Sequence, residues 1–337
     1  MYSQMIVRIC HHLSQGLRND ALMLRDAIRK YNISVVVHIE SYPENEIHRI
    51  KSNVITQCVD VQIFLEHVDM ELIPRARNNI IVPNPEWMNK CDFEMCGSDK
   101  MDAIVAKTKS GFRSLLQHFP NKTHYWGWTS IDRQNETIWK TFDEYLHVKG
   151  CSPFKNTQLL MDTWLEHPEW PPLHIVSYGD PDRNGYIEVK RPYIQVSDNV
   201  KLYQRKLEDD ELNNLMNRVG IHICPSSTEG FGHYINEARS CGSVVVTMDG
   251  TPMNEFVTKE NGVLISPISE HKQLLGVKYI TSQVDIEVAV QQSLDLCYDQ
   301  MKSKSISARS AYDFDKLSFF SNVAHFFSIY HHLKVII

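Results

Sequence analysis

Short runs of β-branched and aliphatic residues alternate along this chain with longer segments whose apolar positions recur every three or four residues. The first pattern predicts buried strands and the second amphipathic helices. Strands are expected at Gln4–Ile9, Ser34–Ile39, Val61–Leu65, Asn79–Val82 and Ala103–Ala106. A second series follows at Glu144–Val148, Leu173–Val176, Val200–Leu202, Ile221–Cys224, Val244–Thr247 and Gly262–Ile265. Helices are expected between many of them, among others over Asn19–Lys30, Gly111–Phe119, Asn156–Leu165 and Asp209–Arg218. Strands that alternate with helices build parallel sheets from βαβ units. Two such series predict an α/β protein of two Rossmann-like domains, spanning residues 1–142 and 143–311, with a helical segment over 312–337. The stretch Ile131–Asp143 is the expected hinge. The aromatic tail (Tyr312, Phe314, Phe319, Phe320, Phe326, Phe327 and Tyr330) has helical spacing and reads as core or inter-domain packing.

A length of 337 residues suits two domains. The net charge of −6 gives no reason to expect nucleic acid as a partner. Residues 1–145 carry 17 basic and 18 acidic side chains, so no basic half points to an anionic membrane surface. The eight cysteines are scattered with no CxxC pair, which excludes a paired-cysteine zinc site and suits a reducing compartment. The start MYSQMIVRIC reads as a first strand, not a signal peptide, and no apolar run reaches transmembrane length. A cytoplasmic location follows, either free or at the cytoplasmic face of a membrane. The segment Lys109–Phe119 is the candidate for peripheral membrane contact, against the plainer reading of a helix packed on its sheet. Oligomeric state is left open by the sequence.

The chemistry concentrates in Gly220–Val257, which reads as strand, glycine-rich loop, helix, strand and loop. Gly230 and Gly232 allow a close approach of backbone to ligand. The helix that follows offers N–H groups and a partial positive charge to a phosphate. Glu229 and Glu237, eight positions apart, can each accept hydrogen bonds from sugar hydroxyls.

The motif Glu229-Gly230-Phe231-Gly232, then Glu237, Cys241-Gly242 and Asp249-Gly250-Thr251-Pro252, resembles the C-terminal domain of retaining glycosyltransferases of the GT-B fold, glycosyltransferase family 4 or group 1. The resemblance implies two Rossmann-like domains facing a central cleft, with the C-terminal helix packing back toward the N-terminal domain. It implies transfer of a hexose from a nucleotide diphosphate sugar to a hydroxyl acceptor, with retention of configuration and without a metal or other cofactor. The acceptor would be a glycan, a lipid or a protein-linked sugar. Glu229 would lie on the transferred sugar, Glu237 on the ribose, and Phe231, Gly232 and Thr251 near the donor. Lys149, where the family has an arginine, and Lys155 six residues later would lie on the diphosphate, with Lys155 also stabilising the leaving group. The bland alternative is two solvated lysines.

The first half resembles the family less. Gly16, after the first strand, stands where the family has a glycine loop. Glu66-His67 resembles the strand end that carries the family's active-site histidine, which would touch the donor sugar. A histidine there is as readily structural, and Asn84-Pro85-Glu86-Trp87 competes for the cleft. Asp102–Leu116 resembles the last strand and helix of the N-terminal domain, with Lys107 and Thr108 facing the cleft. No Asp-x-Asp appears in metal-holding context, Asp180-Pro181-Asp182 belonging to a different loop. A catalytically degenerate nucleotide-sugar-binding protein is the alternative function. A nucleotide-sugar epimerase or dinucleotide oxidoreductase would need a fuller glycine fingerprint than Gly16 alone.

Overall fold

The computed structural model describes residues 4–32, 34–42, 58–150, 152–177 and 193–333. The chain divides into two compact units. The first holds Met1–Ile131, Lys272–Gly276 and Phe314–Ile337; the second holds Asp132–His271 and Val277–Asp313.

The first unit is built on β1 (Ile6–His12), β2 (Val36–Tyr42), β3 (Val59–Leu65), β4 (Ala76–Val82), β5 (Ala103–Ala106) and β6 (Thr123–Tyr125). They form one parallel sheet in the order β2-β1-β3-β4-β5-β6. Its helices are α1 (Gln15–Tyr31), α2 (Lys90–Gly97) and α3 (Lys109–His118). The inner strands are buried along nearly their whole length, as a parallel sheet covered on both faces requires: Ile80, Ile81 and Val82 have no exposed surface. β1 runs on past the predicted Ile9 to His12, and the buried His11 sits in that extension. α3 lays Leu115 against the sheet with none of it exposed, and Phe112 against Tyr125.

The tail joins the first unit through its aromatic residues. Phe326 meets Trp126 edge-on at 5.0 Å, Phe319 lies 4.8 Å from Trp128, and Asn322 Nδ2 donates to the Trp126 carbonyl. Phe314 departs from the expectation, being 70% exposed, because its place on the helix turns away from this contact. The side chain of Tyr330 lies outside the described residues.

The second unit holds β7 (Thr141–Val148), β8 (Leu173–Val176), β9 (Ile194–Ser197), β10 (Val200–Tyr203), β11 (Val219–Cys224), β12 (Val244–Met248) and β13 (Gly262–Ile265). Their order is β13-β12-β11-β7-β8-β10-β9, parallel except for the antiparallel edge strand β9. Around them lie α4 (Thr157–Leu165), α5 (Asp209–Arg218), α6 (His233–Ser240), α7 (Met253–Phe256), α8 (Gln283–Leu294) and the start of α9 (Tyr298–Leu333). Two further strands, the polar β14 (Ser269–Gln273) and the mixed β15 (Gly276–Ile280), pair as a hairpin that the hydrophobic pattern did not announce.

The expected hinge is bonded into the second unit. Arg133 N donates to Ser240 Oγ, Asn135 N donates to Asn217 Oδ1, and Lys140 Nζ donates to the Asn217 carbonyl. These bonds explain why the first unit ends at Ile131 and not at 142. Among the described residues, no helix is long and apolar enough to cross a membrane.

Candidate functional site

In an open parallel sheet, ligands collect beyond the carboxyl ends of the strands where the strand order reverses. In the second unit that point lies between β7 and β11, since the chain passes from β7 to β8 on one side and returns to β11 on the other. Both loops that leave these strands carry the motif residues. After β7 comes a single tight turn, Pro153–Lys155, and Asn156 in the left-handed region at φ 50°. Asn156 Nδ2 donates to the Pro225 carbonyl at 2.8 Å, and Ser227 N donates to the Phe154 carbonyl at 2.8 Å. The two loops are thus joined by hydrogen bonds on either side of Lys155.

This joining sets Lys155 against Glu229. Its ammonium forms a close ion pair with Glu229 Oε1, with the two side chains only 10% and 12% exposed. The same oxygen accepts a bond from Ser226 Oγ at 2.5 Å, and Ser226 in turn accepts from the Tyr234 hydroxyl. The Lys155 ammonium also lies 3.7 Å from the centre of the Tyr234 ring, in cation–π range. Desolvation, then the neighbouring Cys224 and Glu229, push the Tyr234 phenol well above its usual value, so it remains a donor. Burial lowers His147 to about 4 and leaves it neutral. Its Nδ1–H donates to the Ile223 carbonyl and its Nε2 accepts from Thr157 Oγ1, which fastens β7 to β11 and to the start of α4.

The glycine loop then turns into α6. Gly232 caps this helix at φ 89°, a conformation that L side chains adopt at a cost of about 1–2 kcal/mol. A Cβ there would also stand 3.2 Å from Ile235 Cδ1. Gly230, two residues before this cap, is buried. The Phe231 ring is core, packed edge-on against Phe256 at 5.1 Å, so only its backbone can serve a ligand. Along α6, Glu237 Oε2 accepts from Arg133 Nε at 2.7 Å. Thr251 N donates to the Tyr279 hydroxyl at 2.9 Å, and Tyr279 N donates to the Ser227 carbonyl at 2.7 Å. The hairpin strand β15 thereby links the Thr251 loop to the Glu229 loop. Lys149 stands apart from the ion pair and lines a cavity of about 420 Å³ with Asn156, Thr157, Ser177 and Leu202.

In the first unit the order reverses between β1 and β3. His67 follows β3, after Glu66 at φ 73°. Its Nδ1 is 2.6 Å from Asp92 Oδ2, while Asp92 Oδ1 accepts from Val68 N at 2.9 Å. The His12 ring, from the end of β1, meets His67 edge-on at 5.5 Å. Gly16 falls in the first turn of α1 at an ordinary φ, with open space where a Cβ would be. It is therefore not demanded by the backbone. Lys107 and Thr108, at the end of β5, are both held by partners within the first unit. Lys107 is 5% exposed, with Nζ on Asp20 Oδ2 at 2.7 Å and on Asn84 Oδ1 at 3.1 Å, and Thr108 caps α3. A buried ammonium needs such partners, and the fold supplies them from α1 and the β4 loop.

Sequence reasoning missed Ser226, Tyr234, Arg133 and Tyr279. Tyr234 lies between the two glutamates, so its place on α6 was a usable signal. Arg133 lies 104 positions from Glu237, a separation that no motif spans. Asp180-Pro181-Asp182 lies outside the described residues. Among those described, no cluster of three or more His, Cys, Asp or Glu side chains could hold a metal ion.

Two parallel-sheet, Rossmann-like domains are the fold of the GT-B glycosyltransferases, and solved structures agree. A sucrose-phosphate synthase from Thermosynechococcus elongatus superposes with TM-score 0.71 at 12% identity, covering 99% of this chain and 100% of its own. HepE of Anabaena, solved with UDP and glucose, gives TM-score 0.67 at 14% identity, over 95% and 99% of the two chains. The GtfA/B complex gives 0.55 at 17% identity over 80% of this chain, which spans 58% of that longer one. The family model described as glycosyl transferases group 1 matches residues 130–283, the segment that carries the Lys155–Glu229 pair and Glu237. No curated protein matches the chain by sequence.

Proposed function

We propose that this protein transfers a hexose from a nucleotide diphosphate sugar to a hydroxyl acceptor, with retention of configuration and without a metal. The observation that carries the reading is the Lys155–Glu229 pair on two hydrogen-bonded loops at the β7/β11 reversal, inside the segment that matches the family. In this reading Lys155 spreads its three N–H donors between Glu229 and the diphosphate. Together with the N-terminus of α6 it offsets the charge that grows on the leaving group. Lys149 adds a second cation from the neighbouring cavity. Glu229 Oε1 already accepts two bonds, so it suits an acceptor for a sugar hydroxyl better than a nucleophile. The leaving phosphate then serves as base for the incoming hydroxyl. Glu237 takes the ribose, the N–H groups of Phe231 and Gly232 face the donor, and His67 contacts the sugar. Since HepE was solved with UDP and glucose, UDP-sugars are the first donors to try.

The test is a thermal-shift screen against UDP, GDP, ADP, TDP and their sugar conjugates, with and without EDTA. A ligand at a hundred times its Kd stabilises by about 2.7 kcal/mol. A selective shift that survives EDTA is the expected result. No shift with any nucleotide overturns the reading, and a shift without transfer or hydrolysis of any donor leaves a nucleotide-sugar-binding protein.

A further inference from the structure

Glu237 presents two carboxylate oxygens, and they differ. Oε2 accepts from Arg133 Nε at 2.7 Å, while no described residue donates to Oε1. The pair is mostly buried, with side-chain exposures of 15% for Arg133 and 12% for Glu237. Arg133 is anchored more firmly than an ion pair alone would require. Its backbone N donates to Ser240 Oγ at 3.0 Å, and its carbonyl accepts from Asn217 Nδ2 at 2.7 Å. Ser240 Oγ also donates to the Glu237 carbonyl at 2.7 Å. The main chain of Arg133 is therefore bonded to the same helical turn that its side chain grips. This closed set of bonds leaves the Glu237 carboxylate little freedom, with one oxygen occupied and the other open.

We propose that Arg133 is a positioning residue that holds Glu237 so that Oε1 alone receives the ribose hydroxyls of a nucleoside diphosphate. The proposal rests on the donor-site reading of Glu237. A glutamate on an exposed helix would sample several rotamers, and a ribose would have to order it on binding. Arg133 removes that cost before the ligand arrives. Its Nε–H pairs with Oε2, and no described residue donates to Oε1. The preference for ribose over deoxyribose is then a property of the Arg133–Glu237 pair and not of Glu237 alone.

Calorimetry on the full chain with UDP, GDP and ADP, each beside its 2′,3′-dideoxy counterpart, tests this. The wild type should prefer the ribose form of its nucleotide by about tenfold or more, the range of a hydrogen bond to a charged group. In Arg133→Gln that preference should fall toward one, with binding of the dideoxy form nearly unchanged. Arg133→Lys, which keeps the charge without the Nε geometry, should restore part of it and serves as the readout where the glutamine variant does not fold. A merely structural role would lower thermal stability and leave the ribose preference intact, which overturns the proposal. A wild type that binds no nucleotide overturns the donor-site reading and the proposal together. A wild type that binds ribose and dideoxy forms equally overturns the assignment of Glu237 while leaving the rest of the donor site standing.

Discussion

Removing both members of the Lys155–Glu229 pair should cost far less than the sum of removing each alone. Two unit charges 4 Å apart attract by about 4 kcal/mol at an effective dielectric constant of 20. With side chains only 10% and 12% exposed, a large part of that attraction offsets the desolvation of the two ions. Breaking such a pair from one side costs about 3–5 kcal/mol, because the partner stays buried without compensation. Lys155→Met keeps the length of the side chain and its packing on the Tyr234 ring, yet leaves Glu229 with only the Ser226 hydroxyl. We expect about 3 kcal/mol of local destabilisation. Glu229→Gln should cost about 2 kcal/mol, since the ammonium keeps its ring contact. The double variant should cost about 2 kcal/mol, giving a coupling of about 3 kcal/mol. A chain of two units need not unfold in one step, so native-state hydrogen exchange on peptides covering residues 219–240 is the suitable assay. Lys155→Met should also weaken a nucleoside diphosphate about tenfold relative to the free nucleoside. A coupling below about 0.5 kcal/mol would refute the reasoning, because the two groups would then be independent.

Two further outcomes are expected. Asp92 holds His67 Nδ1 at 2.6 Å, so Asp92→Asn should lower donor turnover, read as transfer or as hydrolysis to water, while nucleotide affinity stays within about twofold; unchanged turnover would make His67 structural. His147, lowered to about 4, and His222, lowered to about 3, are held neutral by burial. Their folded values lie below the unfolded value of about 6.5, so the stability they contribute is complete above that value and is lost as pH falls toward 4. Between pH 7 and pH 5 each should withdraw about 2 kcal/mol from the second unit. A flat profile of hydrogen-exchange protection across β7 and β11 over that interval would show that these imidazoles are not buried neutral.

The elements that the sequence announced are those whose apolar run has the length of the element itself. Ala103–Ala106, Leu173–Val176 and Gly262–Ile265 begin and end where predicted, because a strand covered on both faces must be apolar throughout and its polar flanks mark the ends. The α5 helix, Asp209–Arg218, was as legible, with three acids in its first turn and an arginine in its last. Elements without a buried face left no such mark. β6 is three residues long, β9 is an exposed edge, and β14 is polar and mostly exposed.

The sequence by itself determined the parallel two-domain fold, the glycine loop and the two glutamates eight positions apart, since period, glycine and spacing are properties of a local stretch. Only the tertiary structure decided who meets whom. Lys155 finds Glu229 because β7 and β11, 74 positions apart in the contact, are neighbours at the reversal of the sheet. Glu237 finds Arg133 because a segment that reads as a hinge is bonded along α6. Lys107 is the buried partner of Asp20, 87 positions away. A charged side chain carries the same letter whether it faces water or a counter-ion, and which of the two it faces is settled by the packing of distant strands.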